Sequence, residues 1–244
     1  MSGQQVIDPL ERNDEYDRLT VQIIEQVCTP TAVCVDLGAG VGEITQHLVR
    51  VAPEGRHFAV EPLPAFADEL AARLPSVTVI RAAAADVTGP QSFVHVVSNP
   101  GYSGLRRRPY DRPSETLREI SVDAVRLDDV IPPDVHVDLV KIDVEGGEVL
   151  ALRGARRSLL RSRPMIVFEH GGDHVMREYG TTTDDLWSLL VDGLGYQVFT
   201  LPAWLAGQPA MDRTSFTRAL ERDWFFVAAC AGPKSTTAER KGFR

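Results

Sequence analysis

"TAVCVDLGAGVGEIT", residues 31–45, decides how the rest of the chain reads. A short β-rich run ends at Asp36, glycines follow at 38, 40 and 42, and helical spacing then places Ile44, Leu48 and Val51 on one face. Strand, glycine turn and helix in that order form the opening unit of a sheet whose ligand lies beyond the carboxyl ends of its strands. The unit recurs outward. "HFAVEP" (57–62) reads as a second strand, followed by a helix with Phe66, Leu70 and Leu74 on one face, and "VTVIRAAAAD" (77–86) as a third. Further on, "VDLVKID" (137–143) is a strand, "EVLALRGARRSLLR" (148–161) a helix and "PMIVFEH" (164–170) another strand. "TTTDDLWSLLVDGLG" (181–195) has Thr or Asp to cap its start and glycine to end it. "YQVFTL" and "WFFVAAC" close the sheet around an insertion at 202–222. Near-continuous apolar strands alternating with helices specify a doubly wound α/β domain with a parallel sheet covered on both faces.

Upstream, "DEYDRLTVQIIEQVC" (14–28) carries Tyr16, Leu19, Ile23 and Val27 at helical spacing, with Pro30 beyond. The expected organisation is an N-terminal helical segment (1–30), one catalytic domain (31–232) and a flexible tail (233–244). The middle is less regular: "SFVHVV" and "EISVDAV" read as a strand pair flanking a long polar loop, 98–118. That loop is either a lid over an acceptor or a surface excursion. Its "RRR" at 106–108 reads as solvated, with service to one anionic ligand the alternative, and Tyr102 and Tyr110 are available for stacking.

The bulk numbers fit an ordinary globular chain: 244 residues, 43% hydrophobic and 25% charged, with a mean hydropathy of −0.11. A net charge of −8 gives no field for a nucleic-acid backbone or an anionic membrane surface. No apolar run reaches bilayer length, so the expected setting is cytoplasmic. Cys28, Cys34 and Cys230 lack metal-type spacing and read as small core residues.

The glycine turn specifies its ligand by what it lacks. A dinucleotide fingerprint needs G-x-G-x-x-G, and Glu43 stands where the third glycine belongs. A carboxylate at a helix N-terminus repels pyrophosphate. Asp36 before the turn and Glu61 at the next strand end suit S-adenosylmethionine, which has an ammonium, a sulfonium and no phosphate, with Glu61 on the ribose hydroxyls. A nucleotide-dependent oxidoreductase is the disfavoured alternative, and a non-catalytic cofactor-binding module the second.

With "VCVDLGAGVGEIT", "FAVEPLPAFADEL", "SVDAVRLDDVI" and above all "VDLVKIDVEGGEVLALRGA" followed by "RPMIVFEH", the chain resembles the FkbM-type S-adenosylmethionine-dependent methyltransferases over roughly residues 31 to 230. The resemblance implies a class I methyltransferase (Rossmann-like) sheet of seven strands with an antiparallel last strand. It also implies O-methylation of a small-molecule hydroxyl, on a sugar or a polyketide-type natural product. By position, Asp36, Gly38 and Gly40 would cradle the methionine moiety, Glu61 the ribose, and Ala83 would flank the adenine. Gly147 departs from the family, which more often has alanine there.

Acceptor chemistry falls on the fourth and fifth strand ends. An acceptor hydroxyl needs a base or a metal to lose its proton. "LVKIDVEGGEVLALRG" (139–154) delivers Asp143 and Glu145, and the next strand delivers Glu169 and His170. Asp143, Glu169 and His170 form a candidate Mg²⁺ set, a layout similar to that of catechol O-methyltransferase. The rival is metal-free, with His170 as general base and His174 behind it. Glu148 reads as complementing a helix dipole. Lys141 carries no assigned role. Trp204 and Phe216 in the insertion are further candidates for acceptor contact. Oligomeric state is left open, a homodimer included.

Overall fold

The computed structural model describes residues 9–110 and 114–230. The tail at 233–244 and part of the 98–118 loop therefore lie outside the described residues. In chain order the elements are α1 (Pro9–Val27), β1 (Cys34–Leu37), α2 (Glu43–Val51), β2 (His57–Val60), α3 (Pro64–Arg73) and β3 (Val77–Ile80). There follow β4 (Ala83–Ala84), β5 (Gly89–Val96), β6 (Leu117–Val125), α4 (Leu127–Val130) and β7 (Leu139–Ile142). Next are α5 (Glu148–Gly154), α6 (Arg156–Ser162), β8 (Met165–Glu169), α7 (Asp173–Met176) and α8 (Thr183–Trp187). The last are β9 (Tyr196–Thr200), α9 (Leu201–Leu205), α10 (Arg213–Ala219) and β10 (Phe225–Cys230).

Seven strands form one sheet in the order β3-β2-β1-β7-β8-β10-β9. β1 lies parallel between β2 and β7, β7 pairs parallel with β8, and β10 runs antiparallel between β8 and β9. The order reverses at β1, so the crevice between β1 and β7 is the switch point, where a ligand enters an open sheet. β1, β2 and β7 are buried along their whole length, as strands covered on both faces must be.

One face is closed by the large apolar cluster of Val35, Leu37, Ile142, Leu152, Phe168, Leu190 and Phe226. The other is closed by α1 and α2: Tyr16, Leu19 and Ile23 pack on Val167, Phe199 and Val227, and Ile24 joins Ile44 and Leu48. The helix expected in the N-terminal segment thus shares the core of the sheet.

Two expected elements are subdivided. The run 77–86 splits, since Ala83–Ala84 leaves the main sheet and pairs with β6. β4, β6 and β5 make a separate three-stranded sheet, with the expected hairpin partners β5 and β6 in register from Gly89↔Ala124 to Val96↔Leu117. The helix 148–161 breaks into α5 and α6 at Ala155. Gly154, at that break, lies so close to Ala85 that a Cβ would collide with the Ala85 carbonyl oxygen. α8 starts at the expected cap, a reciprocal box between Thr182 and Asp185, and runs on into a π-turn over Ser188–Gly193.

Candidate functional site

Beyond the carboxyl ends of β1, β2 and β7 lies a cavity of 390 Å³, within the range of small-molecule sites. Its floor is the glycine turn. Gly38 and Gly40 both take positive φ, 77° and 54°, a region open mainly to glycine. They differ in surroundings. A Cβ on Gly38 would collide with the Asp143 carbonyl oxygen, whereas one on Gly40 would meet nothing within 4 Å. Gly38 is therefore needed for packing β1 against β7, and Gly40 for leaving the cavity clear.

Glu61 closes this side. Its Oε2 accepts the Gly40 N–H and its Oε1 the Leu63 N–H, both at 2.8 Å. Burial raises its pKa, opposed by those two amide bonds. The carboxylate is fixed in orientation with lone pairs remaining. Gly38, Gly40, Glu61 and Ala83 all line the cavity. The small sheet supplies the roof, where Leu63, Ala83, Phe93 and Val122 cluster with Phe66 and Leu105. Glu43, at the first position of α2, lines the mouth.

Asp36 does not line the cavity. It is fully buried behind the turn, with Oδ2 accepting the Thr45 hydroxyl at 2.6 Å and Oδ1 3.7 Å from Lys141 Nζ. Its place is structural support under the glycine turn. Lys141, left without a role by the sequence, joins the two halves of the rim. Its ammonium donates to Asp143 Oδ2 at 3.1 Å and to the Gly38 carbonyl at 3.4 Å. Burial works to lower its pKa, but Asp143 and Asp36 outweigh it and the net direction is up. The register predicts the pairing: Asp36 lies opposite Lys141, and Lys141 and Asp143 are two apart on one face.

The other half of the rim is acidic. Carboxylate oxygens of Asp143, Glu145 and Glu169 lie within 4.8 Å of one another. Asp143 and Glu145 line the cavity. Burial, with the neighbouring carboxylates, raises the pKa of both Glu145 and Glu169 well above the usual range; Arg108 opposes the rise at each. Arg108 forms an ion pair with Glu145 and is not a solvated loop residue. Pro100, Gly101, Ser103, Gly104 and Leu105 of the same segment line the cavity, and Gly104 bridges back to Val94 of β5. This stretch of the long loop is a wall of the site. Tyr102 and Tyr110 stack on each other at 6.5 Å.

His170 is not part of the group. Neighbouring residues at a strand end point to opposite faces, so placing Glu169 on the rim turns His170 into the opposite layer. There Nε2 meets Thr183 Oγ1 at 2.9 Å and Nδ1 accepts the Gly172 N–H at 3.0 Å. Burial lowers its pKa to about 4, which keeps the ring neutral. Both nitrogens are engaged, Nε2 at the start of α8 and Nδ1 at the Gly172 amide just before α7, so the geometry supports neither a ligand nor a base role. His174 is exposed on α7. Phe216 is buried in the core against Trp187 and Phe226, and Trp204 packs beside α1, away from the cavity. The insertion supplies no lining residue.

Glu148 begins α5 as expected, but its carboxylate also turns back, with Oε1 accepting the Gly146 N–H at 3.0 Å. Tyr179, which the sequence did not single out, lines the cavity and packs on the two glycines. A Cβ on Gly147 would lie 3.2 Å from the Tyr179 ring. That contact is tight rather than forbidding, and φ at Gly147 is an ordinary −86°, so alanine here would need only a small shift of the Tyr179 ring.

A seven-stranded sheet with its antiparallel strand inserted next to the edge is the class I methyltransferase (Rossmann-like) fold. The Methyltransferase FkbM domain model matches residues 36–198, and the chain belongs to that family. Among solved structures it is similar to the methyltransferase FkbM from Methylobacillus flagellatus KT, at 20% identity and a TM-score of 0.52, over 82% of this chain. The chain spans 44% of that protein's length. It is also similar to a precorrin-6y C5,15-methyltransferase from Geobacter metallireducens GS-15 (18% identity, TM-score 0.42, 82% of this chain and 79% of that one). A TehB-like methyltransferase from Corynebacterium glutamicum matches at 12% identity and a TM-score of 0.45, over 91% of this chain and 97% of that one. No curated protein matches the sequence. Among the described residues no helix is long and apolar enough to cross a membrane.

Proposed function

We propose that the protein is an O-methyltransferase acting on a hydroxyl of a small molecule of sugar or polyketide type. One observation carries the reading: a single cavity joins the Gly38–Gly40–Glu61 turn to the Asp143–Glu145 rim. In this reading the adenosyl end lies along Glu61 and Ala83, and the methionine end on the glycine turn. S-adenosylmethionine supplies an electrophilic methyl group. The chain's part is to align the acceptor oxygen for in-line displacement and to take its proton. Glu145 is the proton acceptor in this scheme. Burial makes its carboxylate more basic than one in water, and Arg108 beside it favours the ionised form that a base needs.

The fit of a Mg²⁺ ion is poor. Three carboxylates are the oxygen donors such an ion takes, but Asp143 already holds Lys141 and Glu145 already holds Arg108. No step is assigned to a metal.

Isothermal titration with S-adenosylhomocysteine tests the cofactor half. Wild-type protein that takes up none would sink the reading. Transfer of a labelled methyl group to a panel of hydroxylated sugars and polyketides tests the acceptor half. Glu145→Gln should lower kcat there while leaving S-adenosylhomocysteine affinity within roughly threefold.

A further inference from the structure

Arg108 reaches Glu145 across thirty-seven residues of sequence. The two side chains retain 13% and 15% exposure, so solvent screens the pair little. The guanidinium also lies over the Tyr102 ring, with Cζ 4.8 Å from the ring centre. Two backbone bonds between Gly104 and Val94, at 2.8 and 3.1 Å, tie the same segment to β5. Glu145 takes φ 56°, left-handed for a residue with a side chain. The backbone thus holds an unfavourable conformation where this carboxylate meets Arg108.

By donor type and spacing alone, the three carboxylates of the rim would suit a divalent ion. Lys141 and Arg108 already bring two positive charges to them from the chain itself. An incoming cation would have to displace these or face their repulsion.

We propose that Arg108 is the built-in counter-cation of the acceptor site, carried by the 98–110 segment to the place a divalent ion would otherwise take, so that one contact both balances the rim and holds the segment over the cavity. The name of the site rests on the methyltransferase reading; the contact does not. Arg108 is a positioning residue. Two consequences follow for the protein: it has no need of a divalent ion, and the segment loosens when Glu145 loses its charge.

Mn²⁺ titration followed by electron paramagnetic resonance tests the first. Wild-type protein should bind no Mn²⁺ at millimolar concentration. Arg108→Gln should gain a site roughly tenfold tighter or more, and Glu145→Gln in that background should remove it. Limited trypsin cleavage tests the second, because Arg106 and Arg107 are exposed on the same segment. Glu145→Gln should be cut there roughly fivefold faster than wild type. Mn²⁺ binding by wild type as tight as by Arg108→Gln, or equal cleavage of Glu145→Gln and wild type, overturns the proposal. S-adenosylhomocysteine titration of the same samples keeps the two readings separate. Wild type that fails to bind it overturns the methyltransferase reading alone.

Discussion

The two halves of the rim hold their carboxylates by different means. On the β1–β2 side, Glu61 is fixed by backbone amides of residues 40 and 63, close in sequence or on the next strand end. On the β7–β8 side, Asp143 and Glu145 are balanced by side-chain cations, Lys141 from within the strand and Arg108 from a distant segment. Backbone amides give a rigid cradle whatever side chains surround it. Side-chain cations give a rim whose charge depends on where a loop lies. In the proposed reading, a cofactor common to many reactions suits the first, and an acceptor that must enter and leave suits the second.

The largest expected effect strikes the seam between the halves. Gly38→Ala places a methyl group against the Asp143 carbonyl at a positive φ, and should destabilise the fold by roughly 4 kcal/mol in urea denaturation. Gly40→Ala is its counterpart, costing about 1 kcal/mol of stability while its Cβ enters the cavity. Binding of S-adenosylhomocysteine should fall in Gly40→Ala without loss of fold. Equal stability losses for the two glycines would erase the distinction between packing and clearance.

Next in size is Lys141→Met, which leaves Asp36 and Asp143 without their shared cation. A buried charge stripped of its partner costs about 3 kcal/mol, read as a drop in denaturation midpoint. Glu61→Gln removes only the charge from the amide-held side. It should weaken S-adenosylhomocysteine by about 2 kcal/mol, or roughly 30-fold, by calorimetry.

The smallest net effect is a tilt with pH, because two buried groups act in opposite directions over nearly the same range. Burial raises the Glu148 carboxyl from 4.5 to about 7. A raised folded pKa favours the protonated form, so its contribution to stability is full below pH 4.5 and is lost as pH rises through 7. His170 tilts the other way: with its folded pKa lowered from 6.5 to about 4, its contribution is full above pH 6.5 and is lost as pH falls toward 4. Subtracting the stability profile of Glu148→Gln from that of wild type isolates the first tilt. A difference that stays flat from pH 4.5 to 7 would show that Glu148 keeps an ordinary pKa.

The glycine-turn side of the cavity was legible in the sequence because it is local. Glycine turn, strand end and the residues beside them follow from spacing alone, and Gly38, Gly40, Glu61 and Ala83 do line one cavity. Asp36 was misplaced by a single step. It belongs to a strand buried on both faces, so it points into the α2 layer toward Thr45. His170 could have been set aside from strand alternation, since it cannot share a face with Glu169. Arg108 could not have been found. Its partner is fixed only once the 98–110 segment folds back along β5, and no periodicity records that return. Tyr179 was hidden for the same reason, its contacts being with Gly146 and Gly147 of a different crossover.

The position of β10 carries one more consequence, for the order in which the site comes into being on the ribosome. Glu169 is opposite Phe225 in the antiparallel pair, and the His170 amide bonds to the Trp224 carbonyl at 2.7 Å. A nascent chain that has emerged through β4 already holds the glycine turn, Glu61 and Ala83. Its acid rim stays unfinished until nearly the last described residue has been made. The newborn protein thus makes the residues of its glycine-turn half well before those of its acidic half, and the two meet only when β7 pairs with β1.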